Sequence, residues 1–377
     1  MQRLTPYAGI IAAVMVALAV LAFRSPTGSP VPLVATTTAP SLTVLPTSVA
    51  TSSAIQDAAA HQAIAATTHP VAPTAHKKAV SAVASVSAPT PEPVASATPL
   101  PQSGNGSLDA AASTLRNALV NILCSVPAGS RLHAISGSGI IIDLKGIILT
   151  NAHIAQYFLL ADKGVSCAIR TGSPAVDTYK AALIYLSPLW VNANPTVLTE
   201  ALPSGTGEYD FALLAVTSGG PANASFPFIP LAATPPTTAI PVVIASYGAQ
   251  FLQSEQVRTN LSPTIVFGSV KDIFTFGTNS IDVLDLGGSA AAQEGSSGGG
   301  VAAASGELVG TITTSTVTGS TDTRSLSAIT ASYIRAEFAR ETASTLTSLF
   351  AQPTAASIAD FAHEIPLLES IITANLR

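Results

Sequence analysis

The chain has 377 residues, of which 47% are hydrophobic and only 10% charged, with a formal net charge of −5. That length suits one large or two ordinary domains, and the charge excludes the basic footprint of a nucleic-acid binder, so no nucleic-acid partner is expected. Much of the hydrophobic fraction is alanine and does not indicate several membrane spans.

One apolar stretch stands apart, "YAGIIAAVMVALAVLAF" from Tyr7 to Phe23, 17 residues without a charge between Arg3 and Arg24. It is at the short end for a membrane-spanning helix and longer than the usual apolar core of a secretory signal. Residues 1–24 are therefore read as a signal-anchor or signal peptide, with the anchor favoured because "VLA" at Val20–Ala22 is a mediocre cleavage site. Either reading sends the remainder out of the cytoplasm, membrane-anchored in the first case and secreted in the second.

Residues 25–106 are almost entirely Pro, Ala, Thr, Ser and Val, with no aromatic side chain. Such a stretch has too little to bury to offset the entropy of ordering its backbone, and it reads as a disordered stalk. His61, His69 and His76 lie in it without a carboxylate or thiol cluster and read as solvated rather than as metal ligands.

The folded part is expected over residues 107–352, followed by a C-terminal helical tail at 353–377. "LDAAASTLRNALVNILCSV" reads as a short helix running into a strand. Short apolar runs punctuated by Gly, Pro, Asn and Ser follow, among them "SGSGIIID", "GIILTNAHI", "SCAIRTG", "DFALLAVT", "TIVFGSVKDIFTF" and "ELVGTITTST". Many such runs at short spacing, without intervening amphipathic helices, indicate an all-β sandwich or barrel rather than a parallel α/β sheet. Only the C-terminal end reads as helical, with Ile334, Phe338, Leu346 and Leu349 on one face and Pro366 interrupting a later stretch.

The two cysteines, Cys124 and Cys167, lie on separate predicted strands. In an exported protein an even count suggests a disulfide, with two separate buried thiols as the alternative.

Three segments matter jointly: "GIILTNAHIAQYF" with His153 after a strand-like run, "GEYDFALLAV" with Asp210 before one, and "EGSSGGG" with Ser297 ahead of two glycines. Each alone is weak. In the order His, Asp, Ser they resemble the trypsin-like serine peptidases of the chymotrypsin fold, and "GIILTNAH" is most similar to the bacterial stress-protease branch. The resemblance covers about 118–333. It implies two packed antiparallel β-barrels, the first about 118–225 and the second about 226–330, with the site in the cleft between them.

The resemblance also implies roles. Ser297 would be the nucleophile, His153 the base that takes and returns its proton, and Asp210 the carboxylate that fixes the imidazole tautomer. The amides of Gly295 and Ser297 would form the oxyanion hole. The two glycines that follow the nucleophile select Ser297 over Ser296, which stands where many members carry Asp or Asn; Phe211 stands where Ile or Leu is usual. Ala291, six residues before the nucleophile, would lie at the base of the specificity pocket, suggesting a small or medium apolar side chain before the scissile bond. Protein or peptide substrates are implied, with no metal and no organic cofactor. About 50 residues follow the last expected strand, too few for an appended peptide-binding domain of the usual kind. The competing readings are a catalytically silent binding or scaffold module and another hydrolase, such as an esterase, on the same barrels.

Overall fold

A computed structural model describes residues 107–376 apart from 201–204, 221–224, 278–279 and 316–317. All of these belong to one compact unit. The expected anchor and stalk lie outside the described residues, and among the described residues no helix is long and apolar enough to cross a membrane.

Helix α1 (Leu108–Ala118) starts where the Ser107 hydroxyl accepts from the Ala110 amide at 3.1 Å, with Asp109 in its first turn. These features satisfy an orphan N–H and complement the helix dipole. Ala111, Leu115 and Ala118 form its buried face. At Leu119 the backbone turns extended and β1 (Leu119–Ser125) begins, rich in apolar residues that suit a strand.

The first barrel adds β2 (Ile135–Asp143), β3 (Ile147–Thr150), β4 (Ser166–Gly172), β5 (Ala175–Leu186) and β6 (Ala212–Ser218). These six strands close in the order β1-β2-β3-β6-β5-β4, each pair antiparallel. Closure leaves no unpaired edge. Ile122, Ile140, Ile148, Ile169 and Leu214 are fully buried there.

The second half is β7 (Pro241–Ser246), β8 (Thr264–Ser269), β9 (Asp272–Phe274), β10 (Val283–Asp285), β11 (Gly300–Ala303), β12 (Leu308–Ser315) and β13 (Leu326–Thr330). It forms a seven-stranded sheet in the order β8-β7-β11-β12-β13-β10-β9. The two-barrel architecture is thus present with one closed barrel and one half-barrel, rather than two closed ones.

Buried Arg170 of β4 ties the halves together. Its guanidinium donates to Asn121 Oδ1 at 3.1 Å and to the carbonyls of Ala175, Val257 and Arg258 at 2.6, 2.9 and 2.5 Å. Four acceptors compensate the burial of one cation. The Cys124 and Cys167 sulfurs are bonded, pairing β1 with β4 across the register Cys124↔Cys167.

Helices are more widespread than expected. Short ones, α2 (Ala152–Ala155), α3 (Pro188–Ala193) and α4 (Ser254–Thr259), sit in loops between strands, too brief to carry a periodic signal. At the C-terminal end the single face expected across Ile334 to Leu349 is divided between α5 (Ala331–Thr342) and α6 (Leu346–Ala351), because Ala343 adopts the left-handed conformation at φ 53°. Pro366 stands in the first turn of α8 (Ile365–Asn375), where its missing N–H costs nothing; it starts a helix rather than interrupting one.

The tail does not hang free. Helix α7 (Thr354–Phe361) packs on β5, and α8 buries Leu368 and Ile372 against α3 and the segment after His153. Lys145 donates to the carbonyls of Phe350 and Gln352, and Lys163 pairs with Glu369.

Candidate active site

Strand β3 ends at Thr150 and α2 begins two residues later, which brings His153 to the mouth of the first barrel. On the neighbouring strand Asp210 precedes β6 and is 5% exposed. Its Oδ2 lies 2.8 Å from His153 Nδ1, and its Oδ1 accepts from the His153 backbone amide at 3.0 Å. Asn151 Nδ2 donates to the Asp210 carbonyl at 2.8 Å. A carboxylate accepts only, so the contact at Nδ1 puts the imidazole proton there and leaves Nε2 free to take another.

A third donor to this carboxylate was not anticipated from the sequence. Thr313 of β12 gives its hydroxyl to Asp210 Oδ2 at 2.8 Å, across the two halves. A buried carboxylate needs such donors to remain charged. The signal was in "GTITTST", which alternates along a strand and turns Thr311 and Thr313 inward.

Ser297 lies on the turn before β11 and lines the same cleft as His153 and Asp210. Ser296 faces away: it is 1% exposed, and its Oγ accepts from Ser246 Oγ at 3.0 Å. Gly295 and Gly298 flank the pair at φ 91° and 83°. At Gly298 a Cβ would stand 2.0 Å from the Ser138 carbonyl oxygen, so glycine is required for both space and backbone conformation.

The carbonyls of residues 294–297 are all engaged. Glu294 O accepts from Ala249 N at 2.8 Å, Gly295 O from Ser138 Oγ at 2.8 Å, Ser296 O from Gly299 N at 2.9 Å and Ser297 O from Ser138 N at 2.8 Å. Among the described residues no acceptor takes the amides of Gly295 or Ser297. Two unengaged amides one residue apart, each in a peptide whose carbonyl (Glu294 O, Ser296 O) is held, are donors available to a negative oxygen.

The cleft has a volume of about 660 Å³. Its acidic side chains are Glu200, Glu208, Asp210 and Glu294, and among the described residues no Lys or Arg lines it. Ala291, expected at the base of the specificity pocket, is not among the residues that line the cleft. It is fully buried, and Arg324 Nη1 donates to the next carbonyl, that of Ala292, at 2.7 Å. Gln293, Ser325 and Ser327 line the cleft. Among the described residues no group of three or more His, Cys, Asp or Glu is arranged to hold a metal ion.

Residues 137–310, just under half of the chain, match the family model of the trypsin-like peptidase domain. Among solved structures, the active form of the Rv3671c protease from M. tuberculosis aligns at 18% identity and a TM-score of 0.41, covering 66% of this chain and 94% of that one. The serine endoprotease from Yersinia pestis aligns at 20% identity and a TM-score of 0.41, covering 62% of this chain and 66% of that one. No curated protein matches the sequence.

Proposed function

This chain belongs to the trypsin-like serine peptidases, and from that premise we propose that it hydrolyses peptide bonds through Ser297, His153 and Asp210 by way of an acyl-enzyme. The observation that carries the reading is the pairing of Asp210 Oδ2 with His153 Nδ1 at 2.8 Å in the cleft that Ser297 also lines, where the amides of Ser297 and Gly295 are unengaged.

In the proposed reaction Ser297 Oγ attacks the substrate carbonyl carbon while His153 Nε2 takes the hydroxyl proton. The carbonyl oxygen becomes an oxyanion, bound by the amides of Gly295 and Ser297. Asp210 stabilises the imidazolium without taking its proton. Collapse of the intermediate breaks the C–N bond, and His153 returns the proton to the leaving amine. Water then repeats the sequence on the acyl-enzyme and frees Ser297.

We further propose that the catalytic unit works outside the cytoplasm, tethered through residues 7–23. The Cys124–Cys167 bond supports this reading, since disulfides persist in oxidising compartments. Partition of the full chain into the membrane fraction after alkaline washing, with the catalytic unit open to added protease on the outer face, is the expected behaviour.

The activity is tested by incubating the purified chain with an unfolded protein and separately with a simple ester. Cleavage of the protein, lost in Ser297→Ala and His153→Ala, is expected. Turnover of the ester alone favours an esterase, and inertness toward both with retention of a specific partner favours a silent binding module.

A further inference from the structure

Ser138 lies in the middle of β2, on the first barrel, and is fully buried. Its backbone and side chain are directed at the opposite half. The amide donates to Ser297 O at 2.8 Å, and the hydroxyl donates to Gly295 O at 2.8 Å while accepting from Tyr247 N at 2.8 Å. Its carbonyl accepts from Thr150 Oγ1 at 2.7 Å. One residue thus grips the carbonyls of the two residues whose amides stand free, and fixes the segment after β7 in the same contact.

We propose that Ser138 is a positioning residue for the oxyanion hole: its hydroxyl holds the Gly295–Ser296 peptide and so restrains the backbone of Gly295, whose own amide, in the preceding peptide, is aimed at the developing charge. The proposal rests on the peptidase reading above. Its physical basis is the freedom of Gly295, whose φ of 91° lies in a region that glycine enters and leaves at little steric cost. An anchor is required for a segment that flexible. On one side Ala249 N holds Glu294 O, and on the other Ser138 Oγ holds Gly295 O. Without the hydroxyl, Gly295 O and Tyr247 N each lose a partner, and the Gly295–Ser296 peptide keeps only the bond from Ser296 N to Gln293 O at 3.2 Å. Ser138 never meets the substrate; it acts through Gly295. In "SGSGIIID" it is hidden between two glycines at the head of an apolar run, which is why the strand pattern alone assigns it nothing.

The test compares the full chain with Ser138→Ala, Ser138→Thr and Ser138→Cys, using a fluorogenic peptide and active-site titration with a fluorophosphonate. Loss of an oxyanion donor lowers rates by about 100- to 1000-fold, so misalignment of one is expected to cost about 10- to 100-fold. The loss should fall on kcat with KM within about twofold and with the pH profile unmoved, since an interaction made in the transition state is removed and the His153–Asp210 pair is not touched. The threonine variant, which keeps the hydroxyl, should recover most of the rate. If the alanine variant does not fold, the cysteine variant keeps the volume, offers only a weak donor and reads the same contact.

Equal kcat in wild type and in folded variants lacking the hydroxyl overturns the proposal while leaving the peptidase reading intact. A variant that loses only thermal stability and keeps its kcat overturns it likewise. A wild-type chain inert to both peptide and fluorophosphonate overturns the two together.

Discussion

Thr313 and His153 meet on one oxygen: the threonine hydroxyl and the imidazole Nδ1 each lie 2.8 Å from Asp210 Oδ2. Thr313 belongs to the second half of the fold and His153 to the first, so this carboxylate reports whether the halves are docked. Replacement by valine keeps the shape and removes the donor. A hydrogen bond to a charged group contributes about 1.5–3 kcal/mol, so Thr313→Val is expected to lower kcat/KM by roughly 10- to 100-fold, while Thr313→Ser stays within a few fold of wild type. Steady-state kinetics on titrated enzyme measures it.

The charge of the cleft bears on substrate choice. Glu200, Glu208 and Glu294 line it, and among the described residues no Lys or Arg does. Opposite charges raise encounter rates and are screened by salt. Peptides carrying Lys or Arg on either side of the scissile bond are expected to be cleaved a few fold faster than their Glu counterparts. The advantage should shrink between low and high salt and in Glu208→Gln. Competition within a mixed peptide library, read by mass spectrometry, gives the ratio directly.

Glu341 of α5 supplies a pH dependence. Burial pushes its carboxyl above the ordinary value of 4.5, partly offset by the Ser187 hydroxyl, which donates to its oxygens at 2.9 and 3.1 Å. The folded state therefore holds this proton more tightly than the unfolded chain. Above the raised value the charged, half-buried carboxylate is a cost to folding, and the cost is relieved as pH falls toward 4.5. Glu341→Gln should be more stable than wild type near neutrality, with the difference closing on acidification. Urea denaturation across that pH range measures it.

The disulfide makes a separate contribution. It closes a separation of 43 residues within the first barrel, between adjacent strands. In the chain-entropy model a loop of that size contributes about 4 kcal/mol, and measured effects are commonly smaller. Cys124→Ala/Cys167→Ala is expected to lower the denaturation midpoint, with activity retained at temperatures where the variant remains folded, because neither sulfur lines the cleft.

The three candidate segments were legible because each sets a strand signal beside a chemically versatile residue: His153 just past an apolar run, Asp210 just before one, Ser297 against a glycine pair. Of the two adjacent serines, Ser297 lines the cleft and Ser296 is buried against Ser246. What escaped were contacts between residues far apart in the chain. Thr313 and Ser138 are small polar residues in strands whose pattern reports only burial, and their partners lie 103 and 157 positions away. Ala291 is buried in a turn whose next carbonyl, that of Ala292, is held by Arg324 from beyond β12, another contact that strand periodicity does not report. The open edge of the second half likewise reflects strand pairing that periodicity does not encode.

The central claim is that one of two adjacent serines is an activated nucleophile. The direct measurement is to treat the purified full chain with a fluorophosphonate and map the adduct by peptide mass spectrometry, beside Ser297→Ala, Ser296→Ala and His153→Ala. A stoichiometric adduct on Ser297, lost in the first and third variants and kept in the second, is the result this account requires. No adduct on a folded chain, or one on Ser296, would contradict it.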